Sequence, residues 1–250
     1  MIFRVDNIDF SYKSVPTLEN ITFSLEKGDV LSLLGPNGVG KTTLMKCINR
    51  ILMPSNGSVF IGDENISDLS RRNVAKRIGY VPQRGDVSRM SVFDSILLGR
   101  MPHMGWDASN KDIMITGRVI DLIGLQKIAM KYINEISGGE YQLVQIARAL
   151  VQQPQVILLD EPTSNLDLCN QHMIMKVMNK VVKVNEMAAV MVIHDINLAL
   201  RYSDKFILLK EGKIFAAGGV ETITSEVVSE VYNMEVSIED VKGKPVVVPV

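Results

Sequence analysis

An eight-residue stretch, GPNGVGKT, has residue types and a spacing suited to holding phosphate groups. Its glycines let the backbone wrap around an anion, and the helix expected to follow presents the positive end of its dipole. We expect Lys41 to reach the β- and γ-phosphates of a nucleotide and Thr42 to place its hydroxyl on Mg²⁺. A glycine-rich turn without a ligand would explain neither residue. The candidate phosphate-binding residues are Gly35, Pro36, Asn37, Gly38, Gly40, Lys41, Thr42 and Thr43.

Two adjacent carboxylates follow a second apolar run, VILLDEP. The run predicts a buried strand that delivers Asp160 and Glu161 to its carboxyl end, where α/β sheets bind ligands. We expect Asp160 to hold Mg²⁺ and Glu161 to orient and deprotonate an attacking water. Acidic residues at strand ends are often simply solvated, so this interpretation depends on the phosphate loop. His194, which ends the run AVMVIH, is predicted to contact the γ-phosphate rather than to be a surface or capping histidine.

Short runs of branched apolar residues predict the strands that position these groups. They are FRVDNI, ITFSL, VLSLLG, SVFIG, IGYVP, VILLD, AVMVI and KFILLK. VLSLLG, VILLD and AVMVI show no alternation, which is typical of parallel strands buried on both faces, and each precedes a helical pattern (41–52, 168–184 and 195–202). The predicted fold class is therefore α/β, with an antiparallel sheet from the early strands, a helical insertion between Gln83 and Ser137, and a terminal hairpin over 235–250.

Length and composition narrow the class of protein. A chain of 250 residues can form one large domain, or a core with a smaller attached subdomain. A net charge of -1 gives no basic footprint for nucleic acid. We expect no leader peptide and no membrane span, since no apolar run approaches about eighteen residues. Cys47 and Cys169 lack metal-ligand spacing, and we predict two small buried side chains in a reducing cytosol.

A second glycine-containing loop, ISGGEYQ, precedes an amphipathic helical pattern. This loop resembles the signature loop of the ATP-binding-cassette ATPases. Together with GPNGVGKT, LLDEP, SNLD and the histidine after AVMVI, it makes essentially the whole chain resemble that family. The resemblance implies a P-loop NTPase core, a mixed sheet with an antiparallel β subdomain, plus an inserted α-helical subdomain. The core would comprise residues 1–85 and 153–220, the helical subdomain with the signature loop 86–152, and a C-terminal tail 221–250.

The resemblance also implies that two copies of the protein face each other, with ATP and Mg²⁺ at the seam. The signature loop of one copy, Ser137, Gly138 and Gly139, would complete the site held by the phosphate loop of the other. Ser137 and Gly139 would donate hydrogen bonds to the partner's γ-phosphate, and Asp167 of SNLD would lie across the seam. The resulting catalytic set is Glu161, His194, Gln83 and Lys41.

Two further residues take their roles from the resemblance. Tyr12, after the first strand, would stack on adenine, although packing within a turn is the alternative. Gln83, at the end of IGYVPQ, would touch Mg²⁺ and the attacking water while joining the core to the helical insertion. The expected metal set is therefore Thr42, Gln83 and Asp160.

Departures from the family pattern fall in two motifs. Glu140 stands where glutamine is commonest in the signature loop; it would be unfavourable facing phosphate, but harmless if turned away to cap its helix. Asn165 stands in SNLD where alanine is common. Three features resemble those of cassettes that serve importers of iron chelates, haem and cobalamin. They are glutamate at position 140, the segment Ser91 to Trp106 and the closing GKPVVVPV.

The function implied is an ATPase that energises a membrane importer of an iron-siderophore, haem, cobalamin, or a related metal compound or oxyanion. Its partners would be a second copy, two polytopic permease subunits and, indirectly, an extracytoplasmic substrate-binding protein, without nucleic acid. It would lie at the cytoplasmic face of the cell membrane, peripheral through the permease. An exporter cassette, a scaffold protein and a DNA-maintenance cassette are the alternatives. The transported substrate is not encoded in these motifs.

Overall fold

The computed structural model describes residues 1–83 and 89–250, and its strands form three sheets. The strands are β1 (Phe3–Tyr12), β2 (Val15–Leu25), β3 (Val30–Leu34), β4 (Asn56–Ile61), β5 (Glu64–Asn65), β6 (Ile78–Val81), β7 (Val156–Asp160), β8 (Ala188–Val192), β9 (Lys205–Lys210), β10 (Lys213–Gly218), β11 (Val236–Asp240) and β12 (Pro245–Pro249). The helices are α1 (Lys41–Ile48), α2 (Arg71–Arg77), α3 (Val92–Leu97), α4 (Asn110–Ile123), α5 (Gly138–Leu150), α6 (Leu168–Val184), α7 (Ile196–Tyr202) and α8 (Ser225–Tyr232).

The six-stranded sheet has the order β10-β9-β3-β8-β7-β6. All its strands run parallel except the edge strand β10, which pairs with β9 in antiparallel fashion. Every residue of β3, β7 and β8 is buried, as predicted for strands covered on both faces. Because parallel strands end at one edge, the segments after β3, β7 and β8 all lie at the carboxyl edge of this sheet.

The second sheet is four-stranded and antiparallel, in the order β2-β1-β4-β5. Its inner residues Val5 and Ile8 share an apolar cluster with Leu33 of β3 and Leu44 of α1. The phosphate-loop helix is therefore packed between the two sheets. The antiparallel subdomain predicted from the early strands is confirmed.

The segment from α3 to α5 is helical, as predicted for the insertion. A buried ion pair stabilises its centre: Nε of Arg100 lies 2.9 Å from Oδ1 of Asp112, and Arg100 also donates to the carbonyl of Val151 at 2.9 Å. Gly99 comes so close to α5 that a Cβ there would lie 2.1 Å from the carbonyl oxygen of Arg148. The proposed boundary between residues 85 and 86 lies outside the described residues.

The structure differs from the sequence prediction in several places. β10 was not predicted, because its residues are alternately exposed and half-buried, none of them is fully buried, and they include two alanines and a glycine. α1 ends at Ile48 rather than at residue 52. Cys47 is buried, whereas Cys169 is exposed because it lies on the outward face of the first turn of α6, so the prediction of two buried cysteines was wrong for Cys169.

Candidate functional site

The phosphate loop lies between the end of β3 and the start of α1. Gly35 and Gly40 have φ values of 136° and 106°, which glycine adopts without steric cost. A Cβ on Gly35 would lie 2.4 Å from the carbonyl oxygen of Leu209, and one on Gly40 would lie 2.9 Å from that of Thr17. The loop is thus fixed by backbone geometry and by close packing, and α1 begins directly at Lys41.

Lys41 is buried, and its ammonium group bonds to the loop that carries it. Nζ donates to the carbonyl oxygens of Gly35 at 2.7 Å and of Pro36 at 2.8 Å. Burial lowers the pKa of Lys41, while the charges of Glu161 and Asp160 act in the opposite direction. The ammonium therefore lies within electrostatic reach of both carboxylates at the end of β7.

Asp160 is almost fully buried at the end of β7 and contacts the phosphate loop. Its Oδ1 accepts a hydrogen bond from the Thr42 hydroxyl at 3.0 Å, and its Oδ2 lies 3.5 Å from the Tyr80 hydroxyl. Burial raises the pKa of Asp160, and the bond from Thr42 opposes that shift. A hydroxyl and a carboxylate side by side are oxygen donors suited to Mg²⁺, so this pair fits the expected metal ion.

Glu161 is held by two side chains and by a strained backbone. Gln83 Nε2 donates to Oε2 at 2.5 Å, and His194 Nε2 lies 2.7 Å from Oε1. Glu161 has φ 54°, in the left-handed region that non-glycine residues rarely occupy, and its carbonyl accepts from the Ser164 hydroxyl at 3.0 Å. The carboxylate therefore has a defined orientation.

His194 follows β8 and directly precedes the cap of α7. Its side chain is 43% exposed, compared with 15% for Glu161. The next residue, Asp195, caps α7 by accepting from the backbone N–H of Leu198 at 3.0 Å. His103 and His172 lie elsewhere: one ring contacts the carbonyl of Gln152 and the other the Tyr202 hydroxyl, consistent with structural roles.

Tyr12 ends β1 and presents an exposed ring. The side chain of Phe10 packs edge-on against it, with ring centroids 4.9 Å apart and an interplanar angle of 83°. Tyr12 is 46% exposed, so part of its ring is accessible to a planar ligand. This arrangement is compatible with stacking and orients the ring.

The signature loop caps α5. The Ser137 hydroxyl accepts from the backbone N–H of Glu140, and the Glu140 carboxylate accepts from both the backbone N–H and the hydroxyl of Ser137, each at 2.8 Å. This is a capping box, and its hydrogen bonds lower the pKa of Glu140. Glu140 is thus turned back onto its own helix end, which is the harmless one of the two orientations considered from the sequence.

The segment SNLD lies beside the signature loop. A Cβ on Gly139 would lie 2.8 Å from the side chain of Asn170, in the first turn of α6. Asp167 caps α6 by accepting from the backbone N–H of Asn170 at 2.9 Å, and this bond lowers its pKa. Asn165 has φ 61°, a conformation that asparagine tolerates better than alanine does. That conformation accounts for the asparagine, which the sequence alone left unexplained.

The predicted site residues therefore fall into two groups within one chain. In the first group, a hydrogen bond joins Thr42 to Asp160, and the charge of Asp160 acts on Lys41. Glu161 follows Asp160 and is in contact with Gln83 and His194. Within residues 1–83 and 89–250, no hydrogen bond joins this group to the second group. The second group comprises Tyr12, Ser137, Gly138, Gly139 and Asp167.

Two tyrosines that contact the site were missed by sequence reasoning. Tyr80 lies on β6, and its alignment with Leu158 of β7 places its hydroxyl near Asp160. The predicted strand IGYVP includes Tyr80, so its pairing with VILLD could have indicated this contact. Tyr232 accepts a hydrogen bond from the backbone N–H of Gly35 at 3.0 Å, and no local pattern connects positions so far apart in the chain.

Two features are absent from the described segments. None of their helices combines the length and apolar character needed to cross a bilayer. In the same segments, no group of three or more histidine, cysteine, aspartate or glutamate side chains converges as a metal site.

Comparisons of sequence identify related proteins. Residues 18–164 match the family described as ABC transporter. The chain is 52% identical over 250 residues to an uncharacterized ABC transporter ATP-binding protein of Methanocaldococcus jannaschii, covering 100% of this chain and 98% of that protein. It is 31% identical to a phosphonates import ATP-binding protein of Rhodopseudomonas palustris, covering 94% and 88%. It is also 31% identical to the petrobactin import ATP-binding protein YclP of Bacillus subtilis, covering 96% of each.

Solved structures have the same fold. One described as a metal-chelate type ABC transporter in an inward-facing conformation superposes with a TM-score of 0.87 and 28% identity, covering 100% of this chain and 97% of that one. A dimeric ATP-binding cassette in a post-hydrolysis state with ADP and Pi superposes with a TM-score of 0.76 and 27% identity, covering 88% and 99%.

Proposed function

Because the chain belongs to the ABC transporter family as one of its ATPases, we propose that it energises a membrane importer through two composite ATP sites. The observation that carries this proposal is the cluster at the carboxyl edge of the six-stranded sheet. There the Thr42 hydroxyl of the phosphate loop is bonded to the buried Asp160. The next residue, Glu161, is held between Gln83 and His194. An anion cradle beside an oriented carboxylate is suited to hydrolysing a phosphoanhydride.

ATP binding requires Lys41 to change partners. Its ammonium is bonded to the carbonyl oxygens of Gly35 and Pro36, and we expect it to turn to the β- and γ-phosphates when they enter the loop. Thr42 and Asp160 would hold Mg²⁺, with Gln83 as a further ligand, and this ion would neutralise the phosphate charge. Tyr12 would stack its exposed face on the adenine ring.

Hydrolysis requires Glu161 to exchange one of its partners for water. Both carboxylate oxygens are engaged, one by Gln83 and one by His194. In the proposed step, water attacks the γ-phosphorus, its proton passes to Glu161, and the bond to the β–γ bridging oxygen breaks. The partner that remains would keep the carboxylate aimed at the water, and His194 would also contact the γ-phosphate.

Within the second group, the signature loop and Asp167 would act in trans. With Glu140 turned back onto its helix, the N-terminus of α5 presents Ser137 and Gly139 without a carboxylate directed outward. Such a helix end favours an anion. We propose that it meets the γ-phosphate held by a second copy, with Asp167 across the seam, and a related cassette is dimeric with ADP and Pi.

A groove on the helical segment would receive a permease. It has a volume of about 400 Å³ and is lined mainly by apolar side chains, which include Met90, Leu97, Met101 and Trp106. The Trp106 side chain is fully exposed and that of Met101 is 62% exposed. Large apolar side chains around a groove are typical of a protein interaction site. This would place the chain at the membrane, on the cytoplasmic face, through its partner.

Import is favoured by the relatives, which are named for petrobactin and for phosphonates. Those two are equally similar to this chain, so sequence identity does not select a substrate. The metal-chelate type structure covers the whole chain, and we propose a metal chelate, with an oxyanion as the competing class.

The proposal is tested by co-purification and reconstitution. The chain should co-purify with a polytopic membrane protein, and the reconstituted complex should hydrolyse ATP faster when one ligand-loaded binding protein is added. Replacing Trp106 with Ala should abolish co-purification, whereas replacing the exposed Met53, which lies outside the groove, should not. Isolation without a membrane protein under the same conditions would contradict a transport role.

A further inference from the structure

The C-terminal helix α8 contacts the phosphate loop. Tyr232, its last residue, places its hydroxyl 3.0 Å from the backbone nitrogen of Gly35 and accepts a hydrogen bond from it. The two residues are 197 positions apart. Burial raises the pKa of Tyr232, so the phenol stays neutral at ordinary pH.

Both backbone polar groups of Gly35 form hydrogen bonds. Its N–H is bonded to Tyr232, and its carbonyl accepts from Lys41. Its φ of 136° and its approach to Leu209 leave the residue little room to move. When Lys41 turns toward phosphate, the bond to Tyr232 remains as a side-chain contact that fixes the start of the loop.

α8 is itself anchored to the rest of the domain. Val228 and Val231 are buried in the main core, and Ser229 Oγ accepts from the backbone N–H of Val236, where the terminal hairpin begins. The hairpin is tied to α7 by two bonds between the Asn197 side chain and the backbone of Val247, at 2.8 and 3.1 Å. The position of the tyrosine hydroxyl is therefore defined by the packing of the whole tail.

We propose that Tyr232 is a positioning residue for the nucleotide site, whose hydroxyl holds Gly35 in the conformation that receives the phosphates. This inference deepens the proposed function and rests on it. A loop held in its binding conformation loses less entropy when the nucleotide enters, so the bond increases nucleotide affinity. By linkage, bound nucleotide must stabilise the seating of α8 by the same factor.

The test removes one hydroxyl and measures nucleotide affinity. Tyr232→Phe should raise the Kd for a fluorescent ATP analogue, and the KM for ATP, by about three- to tenfold, the usual worth of one hydrogen bond. The kcat at saturating ATP should change less than the KM. The matched control is Tyr202→Phe, which also removes a hydrogen-bonded tyrosine hydroxyl. That hydroxyl lies 2.9 Å from the ring nitrogen Nδ1 of His172, outside the nucleotide site. It should leave both Kd and KM unchanged.

The outcomes separate the inference from the proposed function. If the parent protein does not bind the analogue, the proposed function fails. If the parent binds it and Tyr232→Phe binds equally well, the positioning role is overturned, whatever the change in Tm. A purely structural tyrosine would lower Tm without moving KM.

A measurement on the parent protein guards against misfolding of the variant. Amide hydrogen exchange across residues 224–235 should slow when nucleotide saturates the site, because binding and helix seating are linked. An unchanged exchange rate in that segment, with the phosphate loop protected, would contradict the coupling.

Discussion

His194 and Glu161 are in direct contact: Nε2 of the histidine lies 2.7 Å from Oε1 of the carboxylate. The two residues come from the ends of neighbouring strands, β8 and β7, which pair in parallel. Gln83 donates to the other carboxylate oxygen, and the backbone of Glu161 has φ 54°. The carboxylate is therefore oriented by its neighbours rather than by solvent. Such strain persists only where the surrounding structure maintains it, and it is commonest at functional sites.

Removal of the Glu161 charge should stop hydrolysis without stopping binding. Glu161→Gln keeps the size of the side chain but cannot accept a proton from water, so turnover should fall by about 10²- to 10⁴-fold. The Kd for a fluorescent ATP analogue should stay near the parent value. The control is Glu186→Gln, at an exposed ion pair with Lys27, which should hydrolyse ATP normally. A Glu161→Gln protein with the parent rate would exclude this residue as the base.

Glu140 should contribute to stability and little to chemistry. Glutamine also forms a capping box, so Glu140→Gln should cost less than Glu140→Ala, for which we expect about 1 kcal/mol in the free energy of unfolding. Its lowered folded-state pKa means that the carboxylate's stabilisation is present above the ordinary glutamate pKa and is lost as the pH falls.

Urea unfolding and ATP turnover of the position-140 variants separate these roles. Glu135→Gln, which alters a similar cap at Tyr132, is the control. A large fall in turnover for Glu140→Gln at unchanged stability would place this carboxylate beside the partner's nucleotide instead.

The buried pair of Arg100 and Asp112 should dominate the acid stability of the helical segment. Bonds from Ser109 and Arg100 lower the Asp112 pKa from 3.8 to about 2. The folded-state pKa lies below the unfolded one, so the stabilisation is complete above 3.8 and is lost as the pH falls toward 2. Asp112→Asn leaves a buried guanidinium unpaired and should cost about 3–5 kcal/mol near neutral pH.

Unfolding of Asp112→Asn and the parent should be compared from pH 7 down to about pH 3. The difference in unfolding free energy should shrink below about pH 4, because only the parent loses its ion pair there. Asp121→Asn, at an exposed position on α4, should show no such convergence. A constant difference across the range would refute the ion-pair account.

The sequence was most informative where chemistry and burial are local. The buried strands β3, β7 and β8 appear as unbroken apolar runs. All three end at the edge of the sheet where the phosphate loop follows β3, Asp160 ends β7 and His194 comes after β8. α6 has the predicted limits of residues 168 and 184, since Asp167 caps it and Asn185 ends it.

Contacts between distant segments were not predictable from pattern. The bond from Gly35 to Tyr232 depends on how α8 packs, and the left-handed conformations of Glu161 and Asn165 depend on the turn after β7. The orientation of Glu140 was left as two alternatives, because only the three-dimensional cap decides between them.

The central claim is that the signature loop of one copy completes the site of another. Light scattering of Glu161→Gln with ATP and Mg²⁺ tests it most directly, alongside the double variant Glu161→Gln/Ser137→Asp. Aspartate can still accept from the backbone N–H of Glu140, although it loses the hydroxyl bond to that carboxylate. It places a negative charge at the end of α5, where the partner's phosphate is expected. We predict an ATP-dependent dimer for the single variant and a monomer for the double variant. At protein concentrations too low for dimerisation, both variants should bind the analogue with the same Kd. Equal dimerisation of both variants, or no dimer from either, would contradict the claim.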